Sequence, residues 1–146
     1  PVSLSNIYEQ VMDELAPKAK SRNVKLSVEF AEDQIQGLDF AIYMLMRNLI
    51  ANAILYCPEG GSVDVRTRRQ GDNVMLTIDD TGPGIPVQAR ESAFEKFNRL
   101  GKSGSDGVGL GLSIAAQVAE LHKAKIELLD SPLGGLRAQV NLRRLA

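Results

Sequence analysis

Two glycine-rich segments hold the residue types best suited to chemistry on a phosphorylated ligand: Asp80-Thr81-Gly82-Pro83-Gly84-Ile85-Pro86 and Gly107-Val108-Gly109-Leu110-Gly111-Leu112. Glycine gives up more backbone entropy on folding than any other residue, so a loop dense in it usually serves a positive φ or a close backbone approach. The second segment leads into an apolar-periodic stretch, which would set backbone N–H groups and the positive end of a helix against phosphate. The first segment opens on an acid. An ionised carboxylate only accepts hydrogen bonds, so Asp80 could select the exocyclic amino group of adenine, which guanine replaces with an acceptor. It could equally be a turn-former bonded to its own backbone, and its neighbour Asp79 competes for either role.

Asn48, Asn52 and Tyr56 recur at intervals of four and so share one stripe of a helix, with Leu55 also on it. The stripe lies beside the apolar one, where amides need partners. Either both are satisfied by backbone or each other, or a carboxamide oxygen coordinates Mg²⁺, a hard cation that keeps waters and substrate phosphates in its shell. Arg99 and Lys102 precede the second glycine segment and are either solvated surface cations or phosphate contacts. Phe94 and Phe97 are expected to pin the base of the intervening loop. His122, the single histidine, lacks neighbours at metal-ligand spacing and reads as structural, at a helix end where the dipole favours a cation. Familiar phosphate motifs are excluded. Gly107, Gly109 and Gly111 are followed by Ile114, so the dinucleotide fingerprint fails, and no P-loop or protein-kinase signature occurs.

The elements that must position these residues follow from apolar spacing. Leu4, Ile7, Val11, Leu15 and Ala19 predict a helix over 4–22, and Leu38, Ile42, Leu45, Leu49 and Ala53 another over 38–56, stopped by Pro58 and Gly60-Gly61. Alternation predicts strands over 24–30, 63–68 and 74–79, the last two forming a hairpin around Gln70-Gly71-Asp72-Asn73. Residues 82–107 read as a long irregular lid. A helix over 110–121 and a closing strand pair over 126–129 and 136–142 complete the order. About five strands and three helices in this order predict a two-layer α/β sandwich: a mixed, mostly antiparallel sheet covered by helices.

The chain has 146 residues, 44% hydrophobic and 24% charged, which is an ordinary size and composition for one globular domain. With 17 basic against 18 acidic residues its net charge is −1, which argues against a nucleic-acid or membrane surface. One cysteine, Cys57, allows no internal disulfide, as suits a reducing compartment. No stretch approaches a spanning helix and no signal peptide is visible, so a soluble, cytoplasmic domain is expected.

Taken together, the motifs resemble the ATP-binding catalytic domain of sensor histidine kinases, in the Bergerat (GHKL) superfamily. Asn48-Leu49-Ile50-Ala51-Asn52-Ala53 with Tyr56-Cys57-Pro58 is similar to the N box, Asp80-x-Gly82-x-Gly84 to the G1 box, Phe94-x-x-Phe97 to the F box and Gly107-x-Gly109-x-Gly111 to the G2 box. Leu121-His122 and Gly134-Gly135 fall where the family has its His-Gly-Gly turn and last glycine motif. The likeness covers nearly the whole chain, and four boxes in order are specific where any one is weak.

The resemblance implies a Bergerat fold with an ATP lid, and ATP and Mg²⁺ as ligands. Asn52 would hold the metal, supported by Asn48, and Arg99 would approach the γ-phosphate; these three would form the catalytic set. Tyr56 would lie near the adenosine and Asp80 would bind the adenine amino group, with Gly82, Gly84 and Ile85 shaping that end. Phe97 and Lys102 would contribute from the lid. Gly107, Val108, Gly109, Leu110, Gly111 and Leu112 would present backbone to phosphate. The reaction implied is transfer of the γ-phosphoryl group to a histidine on an upstream dimerisation and phosphoacceptor domain absent here, followed by a response regulator. The full protein would be a homodimer at the cell membrane, and this domain alone a monomer that binds ATP without phosphorylating itself. Leu55 departs from the basic residue usual there, Lys123-Ala124 replaces Gly-Gly, and Leu136 replaces a threonine. Superfamily hydrolases and serine kinases place a glutamate where Asn48 stands. They form the alternative reading, together with a degenerate nucleotide-binding module.

Overall fold

The computed structural model, which describes residues 1–95 and 111–144, contains the five strands and three α-helices that the apolar spacings predict and two further two-residue strands. In chain order these are β1 (Val2–Ser3), α1 (Leu4–Ser21), β2 (Lys25–Phe30), β3 (Gln34–Ile35), α2 (Asp39–Tyr56), β4 (Ser62–Gln70), β5 (Asn73–Asp80), α3 (Gly111–Leu121), β6 (Ile126–Asp130) and β7 (Leu136–Arg143). Two single 3₁₀ turns, Val87–Ala89 and Ser92–Phe94, follow β5.

Five strands form one sheet in the order β2-β4-β5-β7-β6. Only β2 and β4 run parallel; the other pairs are antiparallel. A parallel neighbour cannot be reached through a tight turn, so α2 serves as the crossover between them. This carries the asparagine helix across the sheet, as the mixed sandwich expected from the sequence requires. A second, two-stranded sheet pairs Val2 with Ile35, and Ile35 bridges to Arg144 on its other side.

The helices cover one face. Leu4, Ile7, Val11, Leu15 and Ala19 of α1 are all buried, as their spacing predicts. α2 buries a wider arc, Ile42, Leu45, Met46, Leu49, Ile50, Ala53 and Ile54, because it lies between α1, α3 and the sheet. Val63, Val65, Val74, Leu76, Ile78, Ala138, Val140 and Leu142 complete one continuous apolar cluster. Several apolar residues escape it, Phe40, Val87, Leu121 and Leu133 among them, and so do two positions of the predicted apolar patterns. Val28 lies on an edge strand and is 44% exposed, and Leu38 is the N-cap of α2 and 61% exposed.

β5 departs from simple alternation, being buried on both faces from Val74 to Asp80. Met75, Thr77 and Asp79 turn away from the helices and are covered by long side chains. Arg68 reaches the Met75 sulfur at 3.9 Å, and Arg137 grips Asp79 through Nε and Nη2 at 2.8 and 3.0 Å. That bidentate pair raises the pKa of Arg137 further and keeps it charged.

α1 and α3 end alike. Val24 N–H returns to Ala19 and Asn23 N–H to Lys20, while Ala124 N–H returns to Ala119 and Lys123 N–H to Glu120. Asn23 and Lys123 both take φ of 56° to allow it, the left-handed residue of a Schellman cap. His122 accepts the Leu38 N–H at Nε2 (3.3 Å) and sets Nδ1 2.9 Å from the Val118 carbonyl, tying the end of α3 to the start of α2. Its place is structural, as expected. Among the described residues no helix is long and apolar enough to cross a membrane.

Candidate nucleotide-binding site

Beside the C-terminal half of α2, between it and the loop after β5, lies a cavity of about 720 Å³, within the range usual for small-molecule sites. α2 supplies one wall. Asn48 is nearly buried, and its Nδ2 donates to the Met44 carbonyl at 2.7 Å, which fixes the side chain. Its Oδ1 receives a long contact from Arg47 at 3.4 Å and lies beside Gly111, the first residue of α3. One turn on, Asn52 faces the cavity, and its amide has no hydrogen-bond partner among the described residues. Tyr56 continues the wall a turn further. The two asparagines therefore differ: one is satisfied by backbone, and the other is left open.

Asp80 closes the other end. Only 4% of it is exposed, and its Oδ1 accepts the Gly82 N–H at 2.9 Å and the Leu136 N–H at 3.1 Å. Its second oxygen has no hydrogen bond among the described residues, and the side chain lines the cavity. Burial pushes the carboxyl above its ordinary pKa, the Leu136 and Gly82 N–H groups pull it back, and the Asp79 charge raises it again. Strand alternation sends the two aspartates to opposite faces. Asp79 belongs to Arg137 on the far face, and Asp80 turns to the cavity.

Backbone approach explains the glycines at this end. A Cβ on Gly135 would overlap the Asp80 carboxylate and come within 2.6 Å of the Gly82 nitrogen. Gly84 takes φ of +73°, a conformation unfavourable for residues with a Cβ. Ile85 is buried in the wall and held there by Arg90, whose Nε donates to the Ile85 carbonyl at 2.9 Å. Arg90 also reaches the Leu128 carbonyl and Asp130 of β6.

The predicted residues Asn52, Tyr56, Asp80, Gly82, Gly84 and Ile85 thus share one cavity, while Asn48 and Gly111 lie against each other and are not among its lining residues. Leu112 is buried and meets Asn52 and Asp80 at a smaller void beside it. Phe94 packs half-buried against the core, as expected of a loop anchor. Phe97, Arg99, Lys102, Gly107, Val108, Gly109 and Leu110 lie outside the described residues. Sequence reasoning missed Arg22, which lines the cavity from the end of α1, and the Leu136 N–H. Gly134-Gly135 was the available signal for the latter.

The donor set fits a nucleotide with a hard cation. Among the described residues no cluster of three or more His, Cys, Asp or Glu could hold a metal alone. An open carboxamide facing a cavity of this size suits Mg²⁺, whose remaining ligands are phosphate oxygens and water. An unpaired carboxylate oxygen at the opposite end suits an amino-bearing base.

A family model for the histidine kinase-, DNA gyrase B-, and HSP90-like ATPase matches residues 37–145. The sensor protein kinase PmrB of Pseudomonas aeruginosa is 34% identical over 144 residues, covering 97% of this chain and 30% of PmrB. The solved mycobacterial sensor histidine kinase MprB superposes with a TM-score of 0.86 at 25% identity, covering 99% of this chain and 98% of that one. The ATP binding domain of PrrB from Mycobacterium tuberculosis gives 0.79 at 28% identity, covering 100% and 97%. The chain spans 30% or less of the length of PmrB and two further sensor-protein relatives. With its strand order, its cavity and this match over most of its length, the chain belongs to the histidine kinase-, DNA gyrase B- and HSP90-like ATPase family, a membership that implies nucleotide binding.

Proposed function

We propose that this chain is the ATP-binding catalytic domain of a sensor histidine kinase, and that it passes the γ-phosphoryl group of Mg-ATP to a histidine on a phosphoacceptor domain of the same kinase. One observation carries the choice among the family's activities. Position 48 holds an amide locked onto the Met44 carbonyl, and Asp80 is the single acid among the described cavity-lining residues. Among the described residues Asp80 is thus the one carboxylate near Asn52, and it is engaged by the Gly82 and Leu136 N–H groups, so no second acid lines the cavity to activate water. Such a site positions and neutralises a phosphoryl group but leaves the nucleophile to come from outside, as suits a reaction dominated by positioning and charge stabilisation.

In this reading the free oxygen of Asp80 accepts the adenine amino group, Ile85 packs against the base, and Tyr56 borders the ribose. The Asn52 carboxamide oxygen would hold Mg²⁺, with Asn48 fixing the turn before it. Mg²⁺ would supply charge neutralisation across the phosphates. The N-terminus of α3 borders the phosphates, and Arg99 and Lys102 would add the cationic contacts that the family resemblance implies. The domain works in the cytoplasm of a homodimeric, membrane-anchored kinase and hands the phosphoryl group on to a response regulator; alone it is a monomer.

The test mixes this chain with Mg-ATP labelled at the γ-phosphate and a separate helical hairpin carrying the acceptor histidine. Acid-labile label on the hairpin is expected with the wild-type chain and not with Asn52→Ala. Acid-stable phosphoserine, or rapid hydrolysis without the hairpin, would overturn the assignment.

A further inference from the structure

Arg22, the residue that ends α1, does more than cap a helix. It is half-buried, and its guanidinium reaches across to the last turn of α2: Nε donates to the Ile54 carbonyl at 3.2 Å, and Nη2 donates to the carbonyls of Leu55 at 3.2 Å and Cys57 at 2.8 Å. The final carbonyls of a helix lack intrahelical partners and carry its partial negative charge. A guanidinium placed there is therefore well satisfied on one edge.

Its other edge is not. Nη1 makes no hydrogen bond among the described residues, and Arg22 lines the same cavity as Asn52, Tyr56 and Asp80. It is the one basic side chain among the described lining residues. The fork is planar and rigid, so fixing Nε and Nη2 on α2 also fixes the direction of the two remaining Nη1 donors. Position 55, where the family resemblance leads one to expect a basic residue, is leucine, and its carbonyl is one that Arg22 holds. A cation anchored to the backbone of residue 55 thus stands where the side chain of residue 55 brings none.

We propose that Arg22 is a nucleotide-contacting residue: Nη1 donates to the anionic ribose-phosphate portion of the bound nucleotide, and the charge missing at position 55 is delivered from the end of α1. This rests on the ATP-binding reading above. The consequence is that the preference for a phosphorylated ligand over a bare nucleoside depends on a residue outside the matched family segment, which begins at residue 37.

The test is calorimetric titration of this chain with adenosine, ADP and ATP in the presence of Mg²⁺, using wild type, Arg22→Gln and Arg22→Lys, each with its melting temperature. Gln keeps an amide donor for the α2 carbonyls and removes the charge. It is expected to weaken ATP binding about tenfold, the loss of one charge-assisted contact, while adenosine affinity stays within about twofold. Lys keeps the charge without the fork and is expected to retain the preference for ATP over adenosine at a lower melting temperature. Arg22→Gln binding ATP like wild type, or losing ATP and adenosine in equal proportion, would leave only the helix cap and overturn the proposal. If Arg22→Gln fails to fold, Arg22→Lys decides: loss of the ATP preference overturns it. A wild-type chain that binds no ATP would instead overturn the functional assignment itself.

Discussion

Asp79 and Asp80 are identical side chains on adjacent residues with opposite surroundings, because a strand sends successive side chains to opposite faces. One is neutralised by Arg137; the other is buried at the end of a cavity with half its acceptor capacity unused. Burial raises the Asp80 pKa above its unfolded value. Its contribution to stability is therefore fully present below the unfolded pKa and declines as pH rises through the folded one, where ionisation works against folding. Binding runs the other way, since only the carboxylate is a pure acceptor for an amino group. ATP affinity is expected to fall as pH drops through the raised Asp80 pKa. Asp80→Asn should raise the melting temperature at neutral pH, remove that pH dependence and relax the preference for ATP over GTP; thermal unfolding and paired titrations check this. Spacing made the asparagine stripe and the acid-glycine loop legible. It could not decide which aspartate faces the cavity, because the phase of a strand is set by what covers each side. The Leu136 N–H and the carbonyls that Arg22 caps were invisible for another reason: every residue carries such groups, and only the fold aims them.

At the scale of elements, the three helices and five main strands were readable because each presents many turns of a period. β1 and β3 were not, since two residues carry no periodicity, and alternation names strands without naming partners, which hid the parallel β2–β4 pair. The helix ends show what composition alone conceals. Lys123 occupies the left-handed position of the α3 cap at φ of 56°, where a Cβ is a liability. Lys123→Gly is expected to stabilise the domain by roughly 0.5–1 kcal/mol, the relief being partly offset by the greater freedom of glycine in the unfolded chain. Urea titration monitored by circular dichroism measures it, with nucleotide affinity unchanged because this cap stands at the far end of α3 from Gly111.

For the whole molecule, the sheet separates two kinds of surface. One face carries the helices and the cavity; the other is a polar layer in which Arg137 and Arg68 cover β5. Ile35 sits where the molecule closes on itself, paired with Val2 on one side and bridged to Arg144 on the other. Those two backbones are then separated by about two inter-strand spacings, roughly 10 Å. Order along the chain and order in space are to that extent independent, and the covalent path can be redrawn. A permuted chain in which a short flexible linker joins residue 144 to residue 2, reopened at the exposed Gly71 turn, keeps every sheet neighbour it had before. It should melt lower, because β4 and β5 lose their tight connection, yet titrate with ATP as the parent does. Failure of that permutant to bind ATP while folded would show that the β4–β5 turn, remote from the cavity, is needed to hold Asp80 in place.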